Sequence, residues 1–290
     1  MKTDPVPTLQ GRVVAITRPL GQSSGMAELV ESLGGVPRLA PTVEIRPPED
    51  TGRVREFIQE AAQGELDVII FLSVNSVESL YQVADDARQT DDLSEAMEKV
   101  TVVAIGKSTL DALGSRGVDV KIVPNDQSSR GVLGLLSKMD PNGMRIGMPR
   151  SSKAGATLKR SLEARGAKVR EVTSYESGIP GDVAPALSLI TSLRDGKVDA
   201  VTFTSASTGR NLFEIADAHS SDAELREGLR GAVVAAIGPA TSEALIEFGV
   251  RVDVVPSEHS TEALIGALAE KLNRDKGENL AERTRKQGPP

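Results

Sequence analysis

Two stretches of the chain decide its fold: AIGKSTLDALGSRGVDVKIVP at residues 104–124 and AIGPATSEALIEFGVRVDVVP at residues 236–256. Each has the end of an aliphatic strand, a turn with glycine, a helix that stops near glycine and a second aliphatic strand. The stretches lie 132 residues apart, and two further blocks match at the same spacing. Those blocks pair Gly11, Val14 and Arg18 with Gly143, Ile146 and Arg150, and Leu66, Asp67, Phe71, Ser73, Leu80 and Ala84 with Val198, Asp199, Phe203, Ser205, Leu212 and Ala216. One register across three blocks indicates an internal duplication in which each copy is a whole domain.

The rest of each copy alternates short aliphatic runs with segments of helical spacing. In the first copy the predicted strands are Val13–Thr17, Val36–Ala40, Val68–Leu72, Thr101–Ile105 and Val118–Ile122. The predicted helices are Ser23–Leu33, Val54–Gln63, Ser76–Ala84, Ser108–Arg116 and Ser128–Lys138. This alternation predicts right-handed crossovers and an α/β fold in which each copy is a doubly wound parallel sheet.

Composition agrees with buried parallel strands. Aromatic residues make up 2% of the chain and Trp is absent, so its cores must be built from aliphatic side chains. The absence of cysteine excludes disulfides, thiolate metal sites and a cysteine nucleophile. The net charge of −7 argues against nucleic acid as a partner.

Both ends of the chain lack strong apolar patterns. Residues 1–10 have no signal-peptide pattern and no run is long enough for a membrane span, so we expect a cytoplasmic protein without membrane contact. Residues 269–290 are rich in charge, and we expect them to form a disordered tail.

Candidate binding residues lie in polar turns that follow the strands. In an open α/β sheet, ligands bind beyond the carboxyl ends of the strands, and helix N-termini there attract carboxylate or phosphate oxygens. The candidates are Arg18, Arg150 and Ser152 in one pair of turns, Ser73, Ser205 and Ser207 in another, and Lys107, Thr109 and Thr241 in a third. Each Ser or Thr alone could be a simple helix cap. Their clustering favours an anion site on the facing walls of two domains.

Familiar cofactor sites are not supported. No glycine-rich nucleotide motif follows a strand, and the only histidines, His219 and His259, have neither metal-ligand nor triad spacing. We therefore predict no cofactor and no metal.

Differences between the copies single out two residues. Tyr175 stands where the first copy has Val43, in a connection rich in Pro, Thr, Ser and Gly. Its hydroxyl could donate a proton at the hinge, or its ring could simply pack there. Lys107 stands opposite Pro239, and it could add a cation to one wall or be an exposed lysine at a helix start.

Four motifs resemble those of the uroporphyrinogen-III synthase family: VVAITRP at 13–19, FTSASTG at 203–209, AAIGPATSEAL at 235–245 and VVPSEHSTEAL at 254–264. The resemblance runs from Gly11 to Leu268. It implies one domain of residues 11–40 plus 181–268, a second of 47–173, and a two-stranded β ladder from 41–46 and 174–180. The duplication alone fits two consecutive domains equally well.

The resemblance also implies a reaction and roles. The substrate would be hydroxymethylbilane, a linear tetrapyrrole with eight carboxylates, which loses water and closes with its terminal pyrrole inverted. Tyr175 matches the hinge tyrosine that assists departure of the hydroxyl. Arg18, Thr109, Ser205, Ser207 and Thr241 match substrate-facing positions, and Ser73, Lys107, Arg150 and Ser152 are further substrate-binding candidates. The expected protein is a monomeric lyase without cofactor.

Two other functions fit a two-domain anion site. A non-catalytic homologue could bind a polyanionic small molecule as a sensor or regulator, although no basic helix-turn-helix region follows Leu268. A glycosyltransferase is disfavoured because the chain carries no nucleotide-diphosphate signature.

Overall fold

The structure, a computed structural model, describes residues 8–120, 122–124 and 129–287. The chain divides into two compact units, one of residues up to Glu44 and from Gly178 onward, the other of Ile45–Ser177. The two divisions, after Glu44 and after Ser177, fall within the connections predicted at 41–46 and 174–180.

Nine strands are defined in the described residues. They are β1 (Val13–Ile16), β2 (Val36–Leu39), β3 (Glu44–Arg46), β4 (Val68–Phe71), β5 (Thr101–Ala104), β6 (Arg145–Ser151), β7 (Lys168–Gly178), β8 (Ala200–Phe203) and β9 (Val233–Ala236). The helices are α1 (Ser24–Ser32), α2 (Gly52–Ala62), α3 (Val74–Ala87), α4 (Thr90–Lys99), α5 (Lys107–Ser115), α6 (Ser129–Lys138), α7 (Thr157–Glu163), α8 (Ala184–Arg194), α9 (Ala206–Ala218), α10 (Asp222–Gly231), α11 (Pro239–Glu247) and α12 (Thr261–Gln287).

The sheet of the first unit has the order β2-β1-β8-β9, and all its neighbours are parallel. Val14 pairs with Ala200, so a strand from the start of the chain lies beside one from its second half. The sheet is buried on both faces, because Val14 and Ile16 join one apolar cluster and Ala15 joins another. This alternation follows from the two-residue period of a strand.

The sheet of the second unit has the order β3-β7-β6-β4-β5. Here Val68 pairs with both Thr101 and Ile146, and Ile69 and Phe71 pack on one face while Ile70 packs on the other. The predicted α/β fold with two doubly wound parallel sheets is therefore confirmed. Strand β6 of the second copy pairs with β4 of the first, and β1 of the first copy pairs with β8 of the second.

Matching aspartates hold the exchanged strands at their first residues. Asp199 accepts a hydrogen bond from the Val13 backbone N–H at 2.8 Å and forms an ion pair with Arg12. Asp67 accepts one from the Arg145 backbone N–H at 2.8 Å and binds its guanidinium at 2.6 Å. Each copy thus clamps the first strand of the other.

Two predicted strands and two helices differ from the sequence prediction. The predicted strand Val118–Ile122 includes residue 121, which lies outside the described residues. In the described part of this strand and of its equivalent, only single bridges form, Val103 with Ile122 and Ala235 with Val254. In the second copy the Asp253 carboxylate accepts the Val234 N–H, which takes a ladder position from the backbone. Helices α4 and α10 were not predicted, because their few apolar positions are set in charged sequence.

The connections also differ in detail. The ladder strand expected from residue 174 is part of β7, which runs without interruption from Lys168 to Gly178. It lies next to β3 in the five-stranded sheet.

The prediction that residues 269–290 form a disordered tail is wrong for the part that the structure describes. Helix α12 continues to Gln287, and Ala269 and Leu272 are buried with Leu264 and Leu268. Their helical spacing extends the apolar face past residue 268, so packing against the first unit outweighs the polar composition. Residues 288–290 of the predicted tail lie outside the described residues.

Candidate functional site

Ser73 and Tyr175 meet in the second unit. Ser73 follows β4 and is the N-cap of α3, where its hydroxyl accepts a hydrogen bond from the Ser76 N–H at 3.3 Å. The Tyr175 hydroxyl on β7 lies 3.1 Å from the Ser73 hydroxyl. Both residues are half-buried. The phenol is therefore held at the carboxyl end of β4, which is the edge of the sheet where open α/β folds bind ligands.

A β-bulge fixes the backbone of Tyr175. Strands β6 and β7 pair in register up to Arg150 and Thr173, after which Ser151 pairs with Tyr175. The Tyr175 carbonyl then accepts the Ser152 N–H at 3.0 Å. The extra residue, Ser174, is fully buried and its hydroxyl has no partner among the described atoms. The bulge re-aims β7 beside the turn that contains Ser152.

Arg150 is not a free cation. Its guanidinium forms an ion pair with Glu171 and only 12% of its side chain is exposed. It lines a pocket of about 230 Å³ together with Ser152, Arg53 and Asp50. Glu171 was missed by the sequence reading, because only the sheet register brings it to Arg150. Ser152 itself is exposed beside this pocket.

The turn after β5 places Lys107 and Thr109 differently. Thr109 is 3% exposed, and its N–H donates to the Gly106 carbonyl at 3.1 Å. Lys107 at the start of α5 is exposed, and no ion pair of Lys107 is found within the described part of the chain. Of these two, Lys107 is the one open to an anion.

In the first unit, the turn after β8 repeats the geometry of Ser73. Ser205 is the N-cap of α9 and accepts the Thr208 N–H at 3.3 Å. Ser207 is exposed on the first turn of the same helix. Thr241, on α11, is 4% exposed and donates its N–H to the Gly238 carbonyl at 3.2 Å.

Arg18 is half-buried at the end of β1. Its guanidinium donates to the Thr261 hydroxyl at 3.4 Å, while its Nε has no partner among the described atoms. Burial lowers the pKa of Arg18, and the nearby Glu262 carboxylate partly offsets this by favouring the charged form. Arg18 lines an open groove of about 440 Å³ with Gln22 and Glu262.

The histidines take no part in a metal or triad arrangement. His219 ends α9, with its Nδ1 2.9 Å from the Ile215 carbonyl oxygen. His259 is exposed and its ring lies against Gly238 at the start of α11. Among residues 8–120, 122–124 and 129–287, no group of three or more metal-ligating side chains is found. Within the same residues no helix is long and apolar enough to cross a membrane.

Comparison with known proteins finds similarity to uroporphyrinogen-III synthases. The family described as uroporphyrinogen-III synthase HemD matches residues 24–266. A candidate uroporphyrinogen-III synthase of Methanothermobacter thermautotrophicus is 38% identical over 262 residues, which cover 90% of this chain and 99% of that protein. The uroporphyrinogen-III synthase of Synechococcus elongatus is 29% identical over 262 residues, which cover 90% of this chain and 95% of that protein.

A solved structure has the same fold. A mutant uroporphyrinogen III synthase from the extremely thermophilic bacterium Thermus thermophilus aligns with a TM-score of 0.58 at 24% identity. The alignment covers 91% of this chain and 100% of that one.

Proposed function

Because the chain belongs to the uroporphyrinogen-III synthase family, we propose that it cyclises hydroxymethylbilane to uroporphyrinogen III. The reaction would invert the terminal pyrrole ring and release water, which makes the protein a lyase. The family match over residues 24–266 is the observation that carries the proposal.

Tyr175 is the residue we propose for the first step. Its hydroxyl would donate a proton to the terminal hydroxyl of the substrate, so that the carbon–oxygen bond breaks and water leaves. The substrate becomes a cationic azafulvene, and the proton released at ring closure restores the phenol. Proton donation by a positioned side chain typically contributes about 10²- to 10⁴-fold in rate. The contact of Tyr175 with Ser73 supports this role, because it holds the phenol in one place.

The polar turns would bind the eight carboxylates. Ser205 and the N-termini of α3 and α9 offer polar groups, and Lys107 offers an exposed ammonium. Arg150 is neutralised by Glu171, so we propose that it shapes the pocket beside Ser152 more than it binds a carboxylate. Arg18 and Ser207 remain proposed substrate contacts, whereas the buried Thr109 and Thr241 would act by fixing the turns that begin α5 and α11.

Hydrogen-bond donors distributed over several turns suit a reaction in which one conformation of the substrate must be held. Uncatalysed closure gives the isomer without inversion, so the protein must hold one conformation through the spiro intermediate and exclude another. Orientation of this kind can supply several kcal/mol of the barrier, roughly 7 to 11 in the best cases. Many weak contacts along a flexible chain of pyrroles achieve it better than one strong site. We further propose that the protein acts as a cytoplasmic monomer without cofactor, nucleic acid or membrane.

An isomer assay tests the proposal. Freshly made hydroxymethylbilane is incubated with the protein, the products are oxidised, and uroporphyrins I and III are separated. We expect isomer III to form at a rate proportional to protein concentration. Isomer I alone, formed at the rate of the protein-free control, would show a non-catalytic homologue and contradict the proposal.

A further inference from the structure

The Ser73 hydroxyl takes part in two contacts. It accepts the Ser76 N–H at 3.3 Å as the cap of α3, and it lies 3.1 Å from the Tyr175 hydroxyl. The Ser76 hydroxyl donates in turn to the Ser73 carbonyl at 2.6 Å, which fixes the turn from both sides. The contacts between Ser73 and Ser76 thus fix the residue whose hydroxyl lies beside the phenol.

The other copy supplies a natural reference for this turn. Ser205 has φ −162° and ψ 160°, against −161° and 153° for Ser73, and it accepts the Thr208 N–H at the same 3.3 Å. The residue that matches Tyr175 is Val43, which is buried and has no side-chain hydrogen-bonding group. Capping is therefore common to both turns, whereas contact with a phenol belongs to Ser73 alone.

Either hydroxyl of the Ser73–Tyr175 pair can be the donor, and the proton count of Ser73 allows it to donate. A serine hydroxyl has one proton to donate and two lone pairs that accept. One lone pair of Ser73 is taken by the Ser76 N–H, and its proton is free for the Tyr175 oxygen. If Ser73 donates, the phenol keeps its own proton for another acceptor.

We propose that Ser73 is a positioning residue for Tyr175, rather than a substrate contact. Ser73 donates to the phenol oxygen, holds the ring at one rotamer and leaves the phenol proton pointed at the leaving hydroxyl. The kinetic part of this inference rests on the function proposed above. The contact itself does not.

Substitution by glycine removes both contacts of the Ser73 hydroxyl, but only the loss of the phenol contact is expected to matter. Glycine is nearly as good an N-cap as serine, so Ser73→Gly should keep the fold while it loses the hydroxyl. We expect kcat to fall about tenfold with KM changed less than about twofold, since a donor that acts in the reaction step is misplaced. Ser73→Thr restores a hydroxyl and should recover most of kcat.

Ser205→Gly is the matched control. It removes the same cap in the same geometry, and because Ser205 is a proposed substrate contact, its loss in kcat/KM should come from a higher KM. In a double-mutant cycle, Ser73→Gly should add little to Tyr175→Phe, because the serine acts through the phenol. A fall in kcat that multiplies with that of Tyr175→Phe would contradict the proposal.

A spectroscopic test does not depend on activity. The chain has two tyrosines and no Trp, so its near-ultraviolet circular dichroism is dominated by Tyr81 and Tyr175. Ser73→Gly should change the tyrosine band, but not in a Tyr175→Phe background, and Ser205→Gly should leave it unchanged. An unchanged band in Ser73→Gly overturns the inference. If the wild-type protein forms no isomer III, the proposed function fails while this spectrum still decides the contact.

Discussion

The turn after β4 and the turn after β8 have nearly the same backbone, yet only the first touches a phenol. Both begin with a serine cap that accepts an N–H at 3.3 Å three residues on. The capping contacts preserve the scaffold after duplication, because each copy needs its helix started at the same place. In the proposed function, the chemistry at each turn is set by one side chain far away in the sequence, which is Tyr175 in one copy and Val43 in the other. Nearly identical turn geometry therefore carries unequal side-chain contacts in the two copies.

Alanine substitution of the glycines at the starts of α5 and α11 should show the largest difference in stability loss between the copies. Gly106 has φ 84°, a conformation that side chains disfavour, whereas Gly238 has an extended φ of −172°. We expect Gly106→Ala to lower the free energy of unfolding by about 1–3 kcal/mol through backbone strain. Gly238→Ala should cost less than about 0.5 kcal/mol, because the three atoms nearest to its Cβ all belong to the exposed His259 ring, the nearest at 3.1 Å.

Urea unfolding of both variants checks this difference. His259→Ala in the Gly238→Ala background should remove the remaining cost, since the ring contact is its cause. Equal losses at the two glycines would show that the copies do not use them for different reasons.

The aspartate clamps provide the next comparison. Asp199→Ala and Asp67→Ala each remove a carboxylate that accepts a strand N–H at 2.8 Å. We expect losses of about 1–2 kcal/mol, at the low end for hydrogen bonds to charged groups because both carboxylates are partly exposed. The loss should be larger for Asp199, whose side chain is 28% exposed against 42% for Asp67. A larger loss for Asp67 in thermal or urea unfolding would contradict this order.

The Asp67 clamp should also depend on pH. Hydrogen bonds from Arg145 lower the pKa of Asp67 below its usual value. A carboxylate with a lowered folded-state pKa stabilises the fold above its unfolded pKa of about 4, and that contribution is lost as the pH falls further. The difference in stability between wild type and Asp67→Ala should therefore shrink in acid. A constant difference down to the acid transition would rule out this contribution.

The smallest effect is expected at the matching pair Tyr81 and Phe213. The Tyr81 hydroxyl is buried without a partner among the described atoms, and burial raises the pKa of this phenol. Tyr81→Phe copies the residue of the other copy and removes that hydroxyl, so we expect a gain of about 0.5–1 kcal/mol. Arg116, 4.9 Å above the ring, keeps a cation–π contact with phenylalanine. A loss of stability in Tyr81→Phe would mean that the hydroxyl has a stabilising partner.

Local features of the fold could be predicted from the sequence. The aliphatic runs at Val13–Thr17, Val68–Leu72 and Thr101–Ile105 became β1, β4 and β5 within one residue at their ends. Helix α4 was missed because Leu93, Ala96 and Met97 are its few buried positions among acidic residues. The tail was misjudged because Ala269 and Leu272 carry too little apolar signal against many charges.

Long-range features of the site could not be predicted from the residues. Ser73 and Tyr175 are 102 positions apart, and only the pairing of β6 with β4 and β7 brings them together. Pairing of Arg150 with Glu171 likewise depends on the register of β6 against β7. Capping of α3 by Ser73 is local, so the sequence could identify that role and not the contact with the phenol.

The central claim is that one hydroxyl, present in a single copy, drives the loss of water. The most direct test is the rate of uroporphyrinogen III formation at saturating substrate by wild type and Tyr175→Phe, with Tyr81→Phe as the control that removes the other phenol. We predict that Tyr175→Phe lowers kcat by about 100-fold while Tyr81→Phe stays within about twofold of wild type. Equal rates for wild type and Tyr175→Phe would contradict the account.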